Sequence, residues 1–175
     1  GALYVRQGSP FSPLVIGGPQ QQGRRAGTEA VGNYAAMGLA CDMAGQHLLD
    51  QRWVRELRDY MEIELTKRIP SIQVLGANSL RLPNTSLLAI SGIENRMLLS
   101  RLNRREVYIS AGAACGQTSL SGPSRVVKAM GVDEHYDHGV VRVSLGLGTT
   151  AQEIDQFIEC FVQELLEITT TLNVA

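Results

Sequence analysis

Val140-Val141-Arg142-Val143-Ser144-Leu145-Gly146-Leu147-Gly148-Thr149-Thr150-Ala151-Gln152-Glu153-Ile154 changes its period partway along. Val141, Val143 and Leu145 alternate with Arg142 and Ser144, the pattern of a strand with one apolar face. From Thr150 the pattern is helical. Thr150-Ala151-Gln152-Glu153 is a capping box, and Ile154, Phe157, Ile158, Phe161, Leu165 and Ile168 form an apolar stripe. The spacing therefore predicts a strand over 140–145 and a long amphipathic helix after 150.

Working outward, the same mixture continues. Short strands are predicted at Ile72–Leu75, Thr85–Ile90 and Val107–Ser110, with another at Ala2–Arg6. Helices are predicted from Thr28 onward, over Asp50–Ile69, Asn95–Asn103 and Ser124–Met130. Pro70 ends the second of these and Gly131 the last. Strands and helices alternate without a regular βαβ beat, so the expected class is α+β, a small sheet covered mainly on one side. The first helix carries many small residues, Gly32, Ala36, Gly38 and Ala40, which suits close approach to another element.

The chain has 175 residues, 44% of them hydrophobic and 19% charged, with a formal charge of −1. That length supports one well-buried core. Near-neutral charge gives no reason to expect nucleic acid or an anionic membrane as partner. No apolar run is long enough to span a bilayer, and the opening residues lack a signal-peptide layout. Cys41, Cys115 and Cys160 are widely and irregularly spaced, which argues against a disulfide framework and for a reducing cytoplasm. No Cys-x-x-Cys or His-x-x-x-His spacing occurs, so no metal site is expected. The chain opens without methionine inside the predicted 2–6 strand, as a piece of a longer protein would.

Three places can carry chemistry. Ser110-Ala111-Gly112-Ala113-Ala114-Cys115 runs from a strand into residues too small to shield a thiol, and loop formers follow through Pro123. Cysteine is usually buried, so this placement suits a reactive thiol, with a surface bystander as the alternative. Gly17-Gly18-Pro19-Gln20-Gln21-Gln22-Gly23-Arg24-Arg25-Ala26-Gly27-Thr28 offers glycines, guanidinium groups and a hydroxyl where a helix begins, an arrangement suited to an anion or phosphate. It is neither a Walker loop nor a dinucleotide fingerprint, and taken alone a glycine-rich connector with solvated arginines is the favoured reading. Arg142 projects opposite the apolar face of its strand. If that side lines a cleft, its guanidinium suits a bidentate grip on a carboxylate; if it is solvent, the residue has no role. His135 and His138 fit a solvated turn. Cys41 and Cys160 fit packing positions, and Trp53 a core or interface anchor.

In order along the chain, these motifs resemble the pyridoxal-phosphate-dependent cysteine desulfurases of aminotransferase class V, the NifS/IscS-like group. Gly17 to Thr28 is similar to the family's glycine-rich loop, and Arg81-Leu82-Pro83-Asn84-Thr85 to its RLPNT turn. Ser110 to Cys115 is similar to its cysteine loop, and Arg142 to Thr150 to the segment before its last helix. The resemblance implies a fold-type I enzyme's small C-terminal domain: a short, mostly antiparallel sheet with helices mainly on one face, plus a long linking helix. It implies that 1–27 is a remnant of the large cofactor-binding domain and 28–175 the linking helix and small domain. Cys115 is then the thiol that takes sulfur from L-cysteine as a persulfide, releasing alanine. Arg142 grips the substrate carboxylate, and Thr28 reaches the phosphate of pyridoxal phosphate across a homodimer. A sulfur-acceptor protein is the implied partner, with iron–sulfur cluster assembly as one destination, in the cytoplasm.

The family's Schiff-base lysine belongs to a Ser-x-His-Lys segment that this chain lacks; Lys67 and Lys128 sit in helical patterns. The chain alone is therefore expected to be inactive. Gln21 stands where the family usually has an acid, and Gly116-Gln117 replaces the usual small hydroxyl residues. Alternatives are a thiol-relay or interaction domain, or a related class V aminotransferase or selenocysteine lyase.

Overall fold

In the computed structural model, residues 1–47, 51–111 and 125–174 are described. The chain divides into two compact units, Gly1–Leu48 and Leu49–Ala175.

The second unit is built on a three-stranded antiparallel sheet in the order β1 (Ile72–Leu75), β2 (Thr85–Ile90), β3 (Val140–Ser144). Ile72 pairs with Ile90, and Arg142 stands opposite Leu87. One sheet face presents Ile72, Leu88, Ile90, Val141 and Val143 to the helices α3 (Gln51–Arg68), α4 (Asn95–Asn103) and α6 (Ala151–Val174). Every residue of the α6 stripe except Phe157 is buried, and Met61, Leu65, Leu98 and Leu102 meet it from the other helices. Burying each such side chain stabilises the fold by about 1.5–3 kcal/mol relative to leaving it in water. Among the described residues the other sheet face has a small cluster, where Val127 of α5 (Arg125–Ala129) joins Leu75, Ala89 and Val140. The expected one-sided α+β sandwich is thus the observed architecture.

The capping box forms as read. Thr150 N–H donates to Glu153 Oε2 at 2.8 Å, and Glu153 N–H to Thr150 Oγ1 at 3.2 Å. Gly139 enters β3 so close to β2 that a Cβ there would lie 1.8 Å from the Ile90 carbonyl oxygen.

Two predicted strands are corrected. Val107–Ser110 contributes only one bridge, Ser110 with Arg142. Its start is diverted because Glu106 is left-handed (φ 60°) and the Val107 N–H goes to the Leu102 carbonyl at 3.0 Å, closing off α4. Residues 2–6 form no strand: Leu3 and Tyr4 are exposed, and no strand among the described residues takes up the backbone N–H and C=O groups.

The first unit holds a short kinked turn, α1 (Gln20–Gly23), and the helix α2 (Val31–Gln46). None of its described residues is buried. No helix among the described residues is long and apolar enough to cross a membrane.

Candidate functional site

In the second unit the site is set by the register of β3. Alternation sends Val141 and Val143 into the core and leaves Arg142 exposed on the thinly covered face. The Arg142 guanidinium makes no hydrogen bond or ion pair with another described residue, so its donor fork is available for a carboxylate. Its backbone is held on both edges. Leu87 stands opposite on β2; on the other edge, Arg142 N–H donates to Ser110 O at 2.7 Å and Ser110 N–H returns to Arg142 O at 3.1 Å. Ser110 is the residue from which the cysteine loop departs. Cys115 itself lies outside the described residues.

The end of β3 is clamped. Leu145 N–H donates to Asn84 O at 2.8 Å, and Asn84 Nδ2 reaches back to Leu145 O at 3.4 Å. The Arg81–Asn84 turn is in turn bolted to α3. Arg81 gives Glu62 a bidentate grip at 2.6 and 2.7 Å, and buried Arg58 donates to Leu82 O at 2.8 Å. The RLPNT stretch therefore works by fixing the strand that carries Arg142.

Where residues 107–109 splay away from β3, a cleft of about 860 Å³ opens against α6, lined by Tyr108, Ile109, Ser144, Leu145, Phe157 and Cys160. Cys160 is half-buried there. Burial pushes its thiol up, Glu164 adds to this, and Arg105 opposes it. It is a protonated packing residue, as expected. Cys41 is exposed on α2, so the packing role expected of it is not seen in this unit, which lacks a core. Trp53 is half-exposed rather than a core residue. His135 sits in a solvated turn as read. Its ring hydrogen bond to Asp133 raises the imidazole above its usual value, and the same carboxylate accepts its backbone N–H at 3.0 Å.

In the first unit, the glycine-rich segment turns back on itself. The Gln20 side-chain amide folds back over Gly18, where a Cβ would lie 2.5 Å from Gln20 Oε1. Gln21 and Gln22 are both left-handed, at φ 53° and 61°. The segment is tied by a side-chain network that sequence reading missed. Glu29 Oε2 accepts from Gln21 Nε2 at 2.9 Å, from Tyr34 Oη–H at 2.8 Å and from Arg25. The Tyr34 hydrogen bond, then that of Gln21, holds the Glu29 carboxyl below the usual carboxylate range. The i, i+4 spacing of Arg25 and Glu29 was the available signal. Thr28 is exposed, and its hydroxyl has no partner among the described residues.

Comparison with known proteins gives these placements a context. The aminotransferase class-V family pattern matches residues 1–157. The chain is 42% identical over 159 residues to a cysteine desulfurase of Enterobacter agglomerans, covering 91% of this chain and 39% of that protein. A cysteine desulfurase of Cereibacter sphaeroides is 42% identical over 161 residues, with 91% and 40% covered. Among solved structures, a NifS-like protein of Rickettsia africae superposes with a TM-score of 0.74 at 28% identity, over 88% of this chain and 40% of that one. A second NifS-like protein gives 0.77 at 27%, over 93% and 41%. The chain thus spans about 40% of the length of the relatives it matches. With its motifs in order and its sheet and helices matching theirs, the chain belongs to the aminotransferase class-V family, where it is similar to the cysteine desulfurases.

Proposed function

We propose that this chain is the C-terminal part of a pyridoxal-phosphate-dependent cysteine desulfurase. In this reading, residues 1–27 belong to the cofactor domain and 28–175 to the linking helix and small domain. The observation that carries it is the two-way backbone pairing of Ser110 with Arg142. It joins the strand bearing a guanidinium that has no partner among the described residues to the residue from which the cysteine loop leaves. Cys115 follows Ser110 by five residues, a tether of at most about 17 Å.

The cofactor's fit rests on the donor set. Thr28 offers an unpartnered hydroxyl, and the amides of Thr28 and Glu29 donate to no described backbone carbonyl, a set that suits a phosphate. When bound, pyridoxal phosphate supplies an electron sink beside the substrate. Lys67, paired with Glu64 on α3, and Lys128 on α5 do not lie in a cofactor-binding motif, so the Schiff-base lysine is taken to come from outside these residues.

This chain's own residues do the rest. Arg142 grips the carboxylate of L-cysteine. The Cys115 thiolate attacks the substrate sulfur; an S–S bond forms, the substrate Cβ–S bond breaks, and a proton takes sulfur's place on carbon. Alanine and a protein persulfide result with no external oxidant, because the carbon is reduced as the sulfur is oxidised. The persulfide then passes to an acceptor protein in the cytoplasm, and the working form is a homodimer.

The test is to supply the lysine-bearing upstream segment and the cofactor with radiosulfur-labelled L-cysteine. The expected result is alanine release with label retained on Cys115, both lost in Cys115→Ala. Unchanged alanine release by Cys115→Ala would overturn the proposal in favour of class V chemistry that needs no protein thiol. Label acquired from a persulfide donor, without any alanine formation, would overturn it in favour of a thiol relay.

A further inference from the structure

Around Thr28, one arginine does an unusual job. Arg25 Nη1 lies 3.4 Å from the carbonyl oxygen of Ala26, 2.7 Å from that of Gly27 and 3.3 Å from that of Thr28. In a trans peptide the C=O and the following N–H point in opposite directions. Drawing three successive carbonyls to one nitrogen therefore turns three successive N–H groups, of Gly27, Thr28 and Glu29, away from the guanidinium. None of the three donates to a backbone carbonyl among the described residues. These amides are donors on the side of the loop away from the guanidinium, and the Thr28 hydroxyl, with no partner among the described residues, belongs to the same residue run.

The guanidinium that gathers these carbonyls is itself occupied. Its Nη2 is engaged by Glu29 and by the Tyr34 hydroxyl, and Tyr34 donates in turn to Glu29 at 2.8 Å. Gln21, held left-handed, adds its amide to the same carboxylate oxygen at 2.9 Å. The positive charge of Arg25 is thus matched locally by Glu29.

We infer that Arg25, locked by Glu29 and Tyr34, is a positioning residue: it presents the amides of residues 27–29 and the Thr28 hydroxyl to a phosphate without contacting the phosphate itself. The inference rests on the phosphate reading of Thr28 and says what makes that reading work. It separates two roles that an arginine beside an anion site can have. A charge ligand tolerates replacement by lysine. A planar fork that gathers carbonyls does not, because an ammonium cannot hold three carbonyls and a carboxylate in that geometry.

The experiment titrates inorganic phosphate into the 175-residue chain and follows the amide 1H–15N signals of Gly27, Thr28 and Glu29. Thermal unfolding of each variant serves as the fold control. In the wild type these three signals shift with phosphate. Thr28→Ala weakens binding, and Arg25→Lys weakens it by about tenfold, the loss expected for one charge-assisted hydrogen bond or its geometry. Tyr34→Phe weakens it by about threefold, and in both variants the phosphate-free shifts of residues 27–29 move. If Thr28→Ala weakens binding while Arg25→Lys and Tyr34→Phe do not, the positioning role is overturned and the phosphate reading stands. If phosphate moves none of the three amides and Thr28→Ala changes nothing, the phosphate reading itself falls and takes the inference with it.

Discussion

α2 and α6 are both long helices rich in apolar residues, yet they behave as opposites. In α6, Ile158 and Phe161 are 1% and 0% exposed, while the glutamates at 153, 159 and 167 face outward. In α2, Val31 is 69% and Leu39 63% exposed, and Asp42 is its only charged residue. A helix with one apolar stripe needs one neighbour, whereas a helix apolar on every side needs covering on every side. The second unit closes its own core; the first has none among its described residues. The comparison teaches that stability and ligand geometry are divided between the units. The second carries the packing and Arg142, and the first carries the glycine-rich loop for which a phosphate role is proposed, held by side-chain hydrogen bonds rather than by burial.

The division can be broken most forcefully at two glycines. Gly139→Ala pushes a methyl group into the Ile90 carbonyl and should cost on the order of 4 kcal/mol in urea unfolding. Gly38→Ala on α2 meets nothing within 4 Å and should be neutral, or stabilise that helix by about 1 kcal/mol. Equal effects would contradict the two-unit account. Next in size, Phe161→Ala should cost about 3–5 kcal/mol, and Met43→Ala on α2 less than about 0.5 kcal/mol, in the same assay.

A smaller effect sharpens the role of the Arg81–Asn84 turn. Arg81→Leu leaves the buried Glu62 carboxylate without its bidentate partner and should cost about 3 kcal/mol. Because the same turn clamps Leu145, the amide signals of residues 142–145 should shift with it. A destabilised variant with unmoved signals there would mean the turn supports α3 alone.

The smallest effect is on pH. Burial alone would raise the Glu164 carboxyl, but the hydrogen bonds and charges of Arg105 and Arg101 outweigh it and leave it below the usual range. The Thr150 backbone N–H, then its hydroxyl, lowers Glu153 likewise. Groups lowered on folding stabilise fully above their unfolded value, about 4.3 for glutamate, and lose that contribution as pH falls through the folded value. Stability of the second unit should therefore decline below about pH 4.5, and less steeply in Glu164→Gln. A pH dependence unchanged by that substitution would remove Glu164 from the account.

Much of the second unit was legible because period and burial coincide there: α4 and α6, β1 and β2, and the outward side of Arg142 follow directly from spacing. The failures share a cause, which is that pairing is not a local property. Residues 2–6 have strand composition but no pairing strand among the described residues, and Val107 spends its amide on the end of α4. The motif order made the family readable at the level of residues. The i, i+4 spacing could have announced the Arg25–Glu29 pair, but three carbonyls converging on one guanidinium is a fact of backbone geometry that no residue pattern announces.

The central claim is that Cys115 works beside the carboxylate-binding Arg142. It is tested most directly by comparing alkylation with iodoacetate and with iodoacetamide, counted by mass spectrometry at Cys115 and Cys41. The account predicts that iodoacetate is favoured at Cys115 relative to Cys41, and that Arg142→Met abolishes the preference. The same reagent ratio at both cysteines, unaltered by Arg142→Met, would contradict it.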